Sequence, residues 1–292
     1  MRELPVVAGD GTTLYLEEHG DPDAPVTVVL THGWALDRRT WRAQIAGLLR
    51  AAGRPVRILA YDHRGHGRSD PAPPGTATIG QLGDDLAEVL TRHATAGRVV
   101  LAGHSMGGMT IMALAERHRS LFTDRVAGVA FVSTSGGHLS RNGVGGVDPP
   151  RWLTARIAAG GNRPPGRALA GVARRWLGRS LFGPGAGPVP VALTAEIIAS
   201  HWPATLLAFR PTFDDHERHA ALAACAGMPV AVLCGEADRL CPPSHSRRIA
   251  DRVPAADLVL LPGAGHMLTL ERSGEVTGRL AALVRATDAA AV

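Results

Sequence analysis

Val99-Val100-Leu101-Ala102-Gly103-His104-Ser105-Met106-Gly107-Gly108 is the stretch from which the rest of this chain is read. Val99 to Ala102 predicts a short buried strand, and Met106 to His118 predicts a helix. Between them Gly103-His104-Ser105-Met106-Gly107 leaves very little chain for the reversal. A serine on so tight a turn is held in strained backbone geometry, and its small neighbours let strand and helix approach. Its Oγ projects from the sheet edge. The helix N-terminus then offers the Met106 backbone N–H and a favourable dipole to an oxyanion. A Gly-rich turn with no such purpose would need no partners elsewhere in the chain.

Working outward, Val6 to Glu18 reads as a hairpin turned at Asp10-Gly11. Apolar, β-branched runs at Val26 to Thr31, Pro55 to Tyr61, Arg98 to Gly103, Arg125 to Ser133, Met228 to Gly235 and Asp257 to Pro262 predict further strands. Helical spacing fills Thr40 to Ala52, Ile79 to Leu90, Met106 to His118 and Glu271 to Arg285. This alternation implies an eight-stranded, mostly parallel sheet covered on both faces, an α/β fold. One segment interrupts it: His138 to Leu222 carries no strand signal and many Gly and Pro. We therefore expect residues 1–137 and 223–292 to form the core domain and residues 138–222 an inserted lid over the carboxyl ends of the strands, where ligands of open α/β sheets bind.

Composition excludes several classes. The 292 residues are 45% hydrophobic and 20% charged, unlike a disordered chain. Apolar runs such as Val26 to Leu30 fall far short of the about 20 residues a membrane span needs. There is no lysine, so all 31 basic residues are arginine, and the net charge is +5. No basic run exceeds a pair and aromatics are 4%, which argues against a nucleic-acid surface. The N-terminus has no apolar signal region. Cys225, Cys234 and Cys241 form no CxxC pair, so they read as reduced thiols and the protein as cytoplasmic.

A serine hydroxyl is a poor nucleophile until a base takes its proton. Gly263-Ala264-Gly265-His266-Met267 follows the final strand and delivers His266 to the same sheet edge. Gly235-Glu236-Ala237-Asp238-Arg239 follows the penultimate strand and delivers Asp238, which would fix the imidazole tautomer. Glu236 is the rival orienter, nearer the strand end.

The order Ser105, Asp238, His266, each just past a strand with an insertion before the acid, resembles the α/β-hydrolase superfamily. The resemblance spans nearly the whole chain outside the insertion. Thr31-His32-Gly33-Trp34 looks like the family's oxyanion turn, which implies the Trp34 backbone N–H as a second donor beside Met106. Asp62-His63-Arg64-Gly65-His66-Gly67-Arg68-Ser69 is similar to the family's D-x-R-G-x-G-x-S turn, and Glu271 to a common structural acid. His32 would then brace a turn. Epoxide hydrolases and haloalkane dehalogenases of this fold use an aspartate where this elbow holds Ser105, and both tyrosines, Tyr15 and Tyr61, lie outside the lid. Hydroxynitrile lyases of the fold lean on a lysine. Carbon–carbon hydrolases usually show Asn before the serine and Trp after the histidine, where this chain has His104 and Met267. Cofactor-free haloperoxidases share the elbow.

The resemblance thus implies serine acyl transfer to water, with no cofactor and no metal. The expected reaction is hydrolysis of a largely apolar, small-molecule carboxylic ester. The alternatives are a thioesterase unloading an acyl-carrier protein, a carbon–carbon hydrolase, a haloperoxidase-like enzyme and a non-catalytic receptor. Trp34, Trp152, Trp176, Trp202 and Met267 are candidate substrate contacts, and Leu153, Ile157, Leu177, Phe182, Leu206, Leu207 and Phe209 could line the same acyl pocket or only pack the lid. From Pro149 to Ala195 there are seven Arg and no acid, either a solvated face or a basic rim that steers an anionic partner. His216 and His219 have the spacing of a helical metal pair, but no third ligand is evident and a surface helix is the simpler reading.

Overall fold

A computed structural model of the protein describes residues 1–139, 177–200 and 207–287. Eight strands, β1 (Arg2–Val7), β2 (Thr13–Gly20), β3 (Val26–Thr31), β4 (Arg57–Tyr61), β5 (Arg98–His104), β6 (Val126–Val132), β7 (Val230–Gly235) and β8 (Asp257–Leu261), form one sheet in the order β1-β2-β4-β3-β5-β6-β7-β8. The hairpin strand β2 runs antiparallel to β1 and β4; every other pairing is parallel. Strands β3, β6 and β7 are buried at every residue, which explains why they read as unbroken apolar runs.

Alternate strand residues feed two cores. On one face Val29, Leu101 and Val129 pack with residues of α2 (Ile79–His93) and α3 (Met106–Arg117). On the other, Val28, Val100 and Val132 pack with α1 (Arg42–Ala51) and the helix Ser273–Ala286. The strands end together at one edge, where β3, β5, β7 and β8 each hand over to a loop.

Some local expectations shift. A 3-10 turn, Arg38–Trp41, precedes α1, so that helix starts at Arg42 and not Thr40. A short helix α4 (Arg119–Arg125) fills the chain ahead of β6 and takes Arg125, so that strand starts at Val126. The helix Pro243–Arg252 carried no apolar signal because two of its three buried residues are the polar His245 and Ser246, beside Ile249. The expected surface helix around His216 and His219 is absent. Residues 214–218 link two 3-10 turns, Arg210–Phe213 and His219–Cys225, and both imidazoles are buried.

Behind β3 the polar turn that follows β4 packs as an interior scaffold. The Asp62 carboxylate accepts from the Arg38 and Arg68 backbone N–H groups, both at 2.9 Å, and from Arg38 Nη1 at 2.7 Å. Burial nevertheless pushes Asp62 up to about 6. Fully buried Arg64 donates to Asp85 and to Asp10. The pairing matters because an unpaired guanidinium there would be strongly destabilising. The three cysteines are free and buried, and burial pushes the Cys225 and Cys234 thiols up to about 12, which removes them as nucleophiles at neutral pH.

Burial holds His63 and His104 down to about 3 and His216 to about 4. Each is neutral in the folded protein but binds a proton near pH 6.5 when the chain unfolds. Below that pH the unfolded state therefore binds more protons, and stability falls as pH drops, by up to about 1.4 kcal/mol per pH unit for each imidazole. Asp62, between about pH 4 and 6, and Asp85, which burial also raises, work in the opposite sense, but they are two groups against three. Urea denaturation should show the midpoint falling from pH 6.5 to pH 4, and a His63→Phe variant should show a shallower decline.

Candidate active site

Ser105 sits at φ +53° and ψ −116° between β5 and α3. Its N–H donates to the Val132 carbonyl at 2.9 Å, and its carbonyl accepts from Gly108 N at 2.9 Å and Thr134 Oγ1 at 2.6 Å. These bonds hold a non-glycine residue where side chains seldom sit. Gly107 has no freedom to be anything larger: a Cβ there would lie 2.2 Å from the Thr31 carbonyl oxygen. The elbow is thus wedged against the end of β3.

The next turn comes from that same strand. Leu36 N–H donates to the Gly33 carbonyl at 3.2 Å, and Ala35 takes φ +62°, so residues 33–36 reverse sharply. A Cβ on Gly33 would fall 3.2 Å from Ser105 Cβ and 2.9 Å from His104 Nδ1, which places this turn directly against the elbow. His32 braces it. The His32 ring donates from Nδ1 to the Gly33 carbonyl at 2.8 Å and accepts the His63 N–H at Nε2, 2.9 Å away. The His66 ring accepts from Ala35 N–H at 3.3 Å. Trp34 packs its ring edge-on against Phe213, centroids 5.4 Å apart.

His266 and Asp238 meet as their strand order suggested. Nδ1–H of His266 donates to Asp238 Oδ2 at 2.9 Å, and both residues are only 4% exposed. The other Asp238 oxygen accepts from the Leu240 and Cys241 N–H groups, each at 2.9 Å. A carboxylate with both oxygens occupied in this way has one orientation available. Glu236, the rival, is exposed to solvent and one step nearer the strand.

Of three supports of the His266 loop, two were not evident from sequence. His104 donates from Nε2 to the His266 carbonyl at 2.9 Å, and the ring centroids are 4.9 Å apart. Burial, reinforced by the neighbouring His266, keeps His104 neutral. The residue before Ser105 thereby ties the elbow to the histidine loop. Leu181, from the segment between β6 and β7, accepts the His266 N–H at 2.7 Å. Glu271 gathers that same region: its carboxylate accepts from Gly183 N–H at 2.8 Å and from Gly265 N–H at 3.1 Å. Glu271 has the structural part expected of it.

Two apolar clusters flank this edge. Met267, fully buried, lies with Leu36, Leu177, Leu181, Phe182 and Ile197. On the elbow side Met106, Met109, Phe209 and Phe213 pack together with partly buried Trp34. Leu207 is exposed. Trp152, Trp176 and Trp202, with Leu153, Ile157 and Leu206, lie outside the described residues, as do all of the seven arginines except Arg179.

A second serine–histidine contact was not anticipated. Ser135 Oγ lies 2.7 Å from His245 Nδ1, and both residues are fully buried. That oxygen also bonds the Gly137 carbonyl at 2.7 Å and N–H at 3.1 Å, so its lone pairs and proton are committed to the backbone. His245 Nε2 has no hydrogen-bond partner, hence no carboxylate orients this ring.

Comparison with known proteins agrees with this architecture. The family described as the alpha/beta hydrolase fold matches residues 26–273. The chain belongs to that family of hydrolases. It is 30% identical to epoxide hydrolase A of Mycobacterium tuberculosis, with 94% of this chain and 95% of that protein covered. It is 29% identical over 93% of its length to the dihydrolipoyllysine-residue acetyltransferase component of the acetoin cleaving system of Pseudomonas putida, of which it spans 66%. Among solved structures, a thermophilic esterase from Thermogutta terrifontis superposes with a TM-score of 0.76 at 26% identity, covering 98% of this chain and 99% of that one. No described helix is long and apolar enough to cross a membrane.

The carboxylate of Glu271 gives a direct test of how His266 is held. Glu271→Gln should cost about 1–3 kcal/mol, the range for weakening charged hydrogen bonds to buried amides, read by calorimetry as a Tm several degrees lower. Glu236→Gln, on an exposed side chain beside the same loop, should leave Tm unchanged.

Proposed function

We propose that the protein is a serine hydrolase that cleaves a largely apolar carboxylic ester. The observation that carries this reading is the 2.9 Å contact between His266 Nδ1 and a buried Asp238 whose other oxygen is fixed by two backbone amides. That contact leaves Nε2 as the basic nitrogen of His266. On this reading Ser105 Oγ attacks the ester carbonyl as His266 Nε2 takes its proton, and Asp238 stabilises the imidazolium. The oxyanion is received by the backbone N–H groups of Trp34 and Met106, from the two turns that abut at Gly33 and Ser105. His266 then protonates the departing alkoxide. It next activates a water that releases the acid from Ser105.

Ester chemistry fits the likeness to the Thermogutta terrifontis esterase. Likeness to an epoxide hydrolase does not transfer that activity. The elbow holds serine in place of aspartate, and Tyr15 and Tyr61 belong to strands β2 and β4. The apolar side chains beside Met267 and Trp34 favour an apolar acyl group. The arginine-rich stretch from Pro149 to Ala195 supports a second reading, a thioesterase that unloads an anionic acyl carrier.

Ser105→Ala should reduce kcat on p-nitrophenyl esters by about 10⁴–10⁶, and Asp238→Asn by about 10³–10⁴. A fluorophosphonate probe should label Ser105 in the wild type and nothing in Ser105→Ala. Labelling of Ser135, or full labelling of Ser105→Ala, would overturn the assignment in favour of the buried Ser135–His245 pair. Thioester turnover exceeding ester turnover and falling with added salt would select the carrier reading.

A further inference from the structure

The chain that leaves β6 and the chain that returns toward β7 meet outside the sheet. Gly137 pairs with Glu217 in an isolated antiparallel bridge, and Arg218 N–H donates to the Gly136 carbonyl at 2.7 Å. His216 donates from Nε2 to the Ser135 carbonyl at 2.9 Å. These bonds present three side chains to one another. Glu217 lies between two imidazoles, with Oε1 2.5 Å from His219 Nδ1 and Oε2 3.4 Å from His138 Nε2. The rings face each other with centroids 5.5 Å apart. Ligand atoms of all three residues lie within 4.8 Å of one another.

We propose that His138, Glu217 and His219 form a binding site for a divalent transition-metal ion of the zinc type. Two imidazole nitrogens and one carboxylate oxygen are the donor set that such ions take, with water completing four-fold coordination. Magnesium and calcium, which call for six or more oxygens, are not matched. Bonds of about 2.0–2.2 Å place tetrahedral ligands roughly 3.4 Å apart, so the trio must rearrange slightly on binding, the 2.5 Å Glu217–His219 contact opening and the wider separations closing. It has room to do so. His138 and Glu217 are about half exposed, while His219 is 8% exposed and anchored, with an Nε2 that has no hydrogen-bond partner. Open solvent on the His138 side gives the ion an entry path and its water ligand. His216, which sequence spacing would pair with His219, is turned away onto the Ser135 carbonyl and takes no part.

The consequence is a covalent-like closure of the long segment between β6 and β7, because the ion would join residue 138 to residues 217 and 219. It stands apart from the hydrolytic reading and does not depend on it. The full-length protein, stripped with chelator, is titrated with ZnCl₂ by calorimetry and with CoCl₂ by visible absorption. We expect one ion per chain with Kd of roughly 10 μM or tighter, cobalt bands of a four-coordinate site, and a rise in Tm with zinc. His138→Ala and Glu217→Gln, both on half-exposed side chains, should weaken binding at least about tenfold. His118→Ala, a surface histidine remote in sequence, should bind as the wild type does. The absence of zinc binding at 100-fold that concentration, or equal Kd in His138→Ala, Glu217→Gln and the wild type, overturns the site.

Discussion

Ser105 occupies a backbone conformation that costs on the order of 1–3 kcal/mol for a residue with a side chain, and hydrogen bonds on both its amide and its carbonyl hold it there. Its amide is bonded to the end of β6, its carbonyl to Thr134 and the first turn of α3, and Gly107 rests on the carbonyl of Thr31 at the end of β3. Three adjacent strands therefore determine one dihedral pair. Strands β3, β5 and β6 can fix it because they are buried on both faces and cannot slide without exposing an entire apolar row to water.

The polar groups behind this edge follow a second logic. His32, His63, His66 and His104 are fully or almost fully buried, and each bonds backbone atoms of the turns around Ser105 and His266. A neutral imidazole has one donor and one acceptor, enough to brace a turn in two places. Buried charged side chains here are paired, Asp62 with Arg38, Asp37 with Arg39, and Arg64 with Asp85 and Asp10. Burial keeps His63 and His104 uncharged at neutral pH, so this bracing works without a counter-ion.

Much of this was legible in the chain. Val26 to Thr31 was readable to the residue because a strand buried on both faces needs nothing but apolar side chains. Asp238 and His266 could be placed because each follows such a strand, and the edge where parallel strands end is shared. The helix Pro243–Arg252 escaped because its buried face is largely polar. Ser135 with His245, and Glu217 with His138, escaped for a different reason. Residues so distant along the chain carry no joint spacing, and only the path of the segment between β6 and β7 brings them together. That segment was expected as a lid on residues 138–222; of its described parts, Leu177, Leu181, Phe182 and Ile197 pack with Leu36 and Met267, and Phe209 and Phe213 with Met106, Met109 and Trp34.

The backbone around residues 181–183 adds a constraint of its own. Leu181 receives the amide of His266, and Glu271 clamps Gly183 and Gly265 through one carboxylate. Residues 181–183 and the loop that carries His266 are therefore fastened to each other, and a displacement of either strains the other. A change at this backbone, far from Asp238 along the chain, is thus transmitted to the contact between His266 and Asp238.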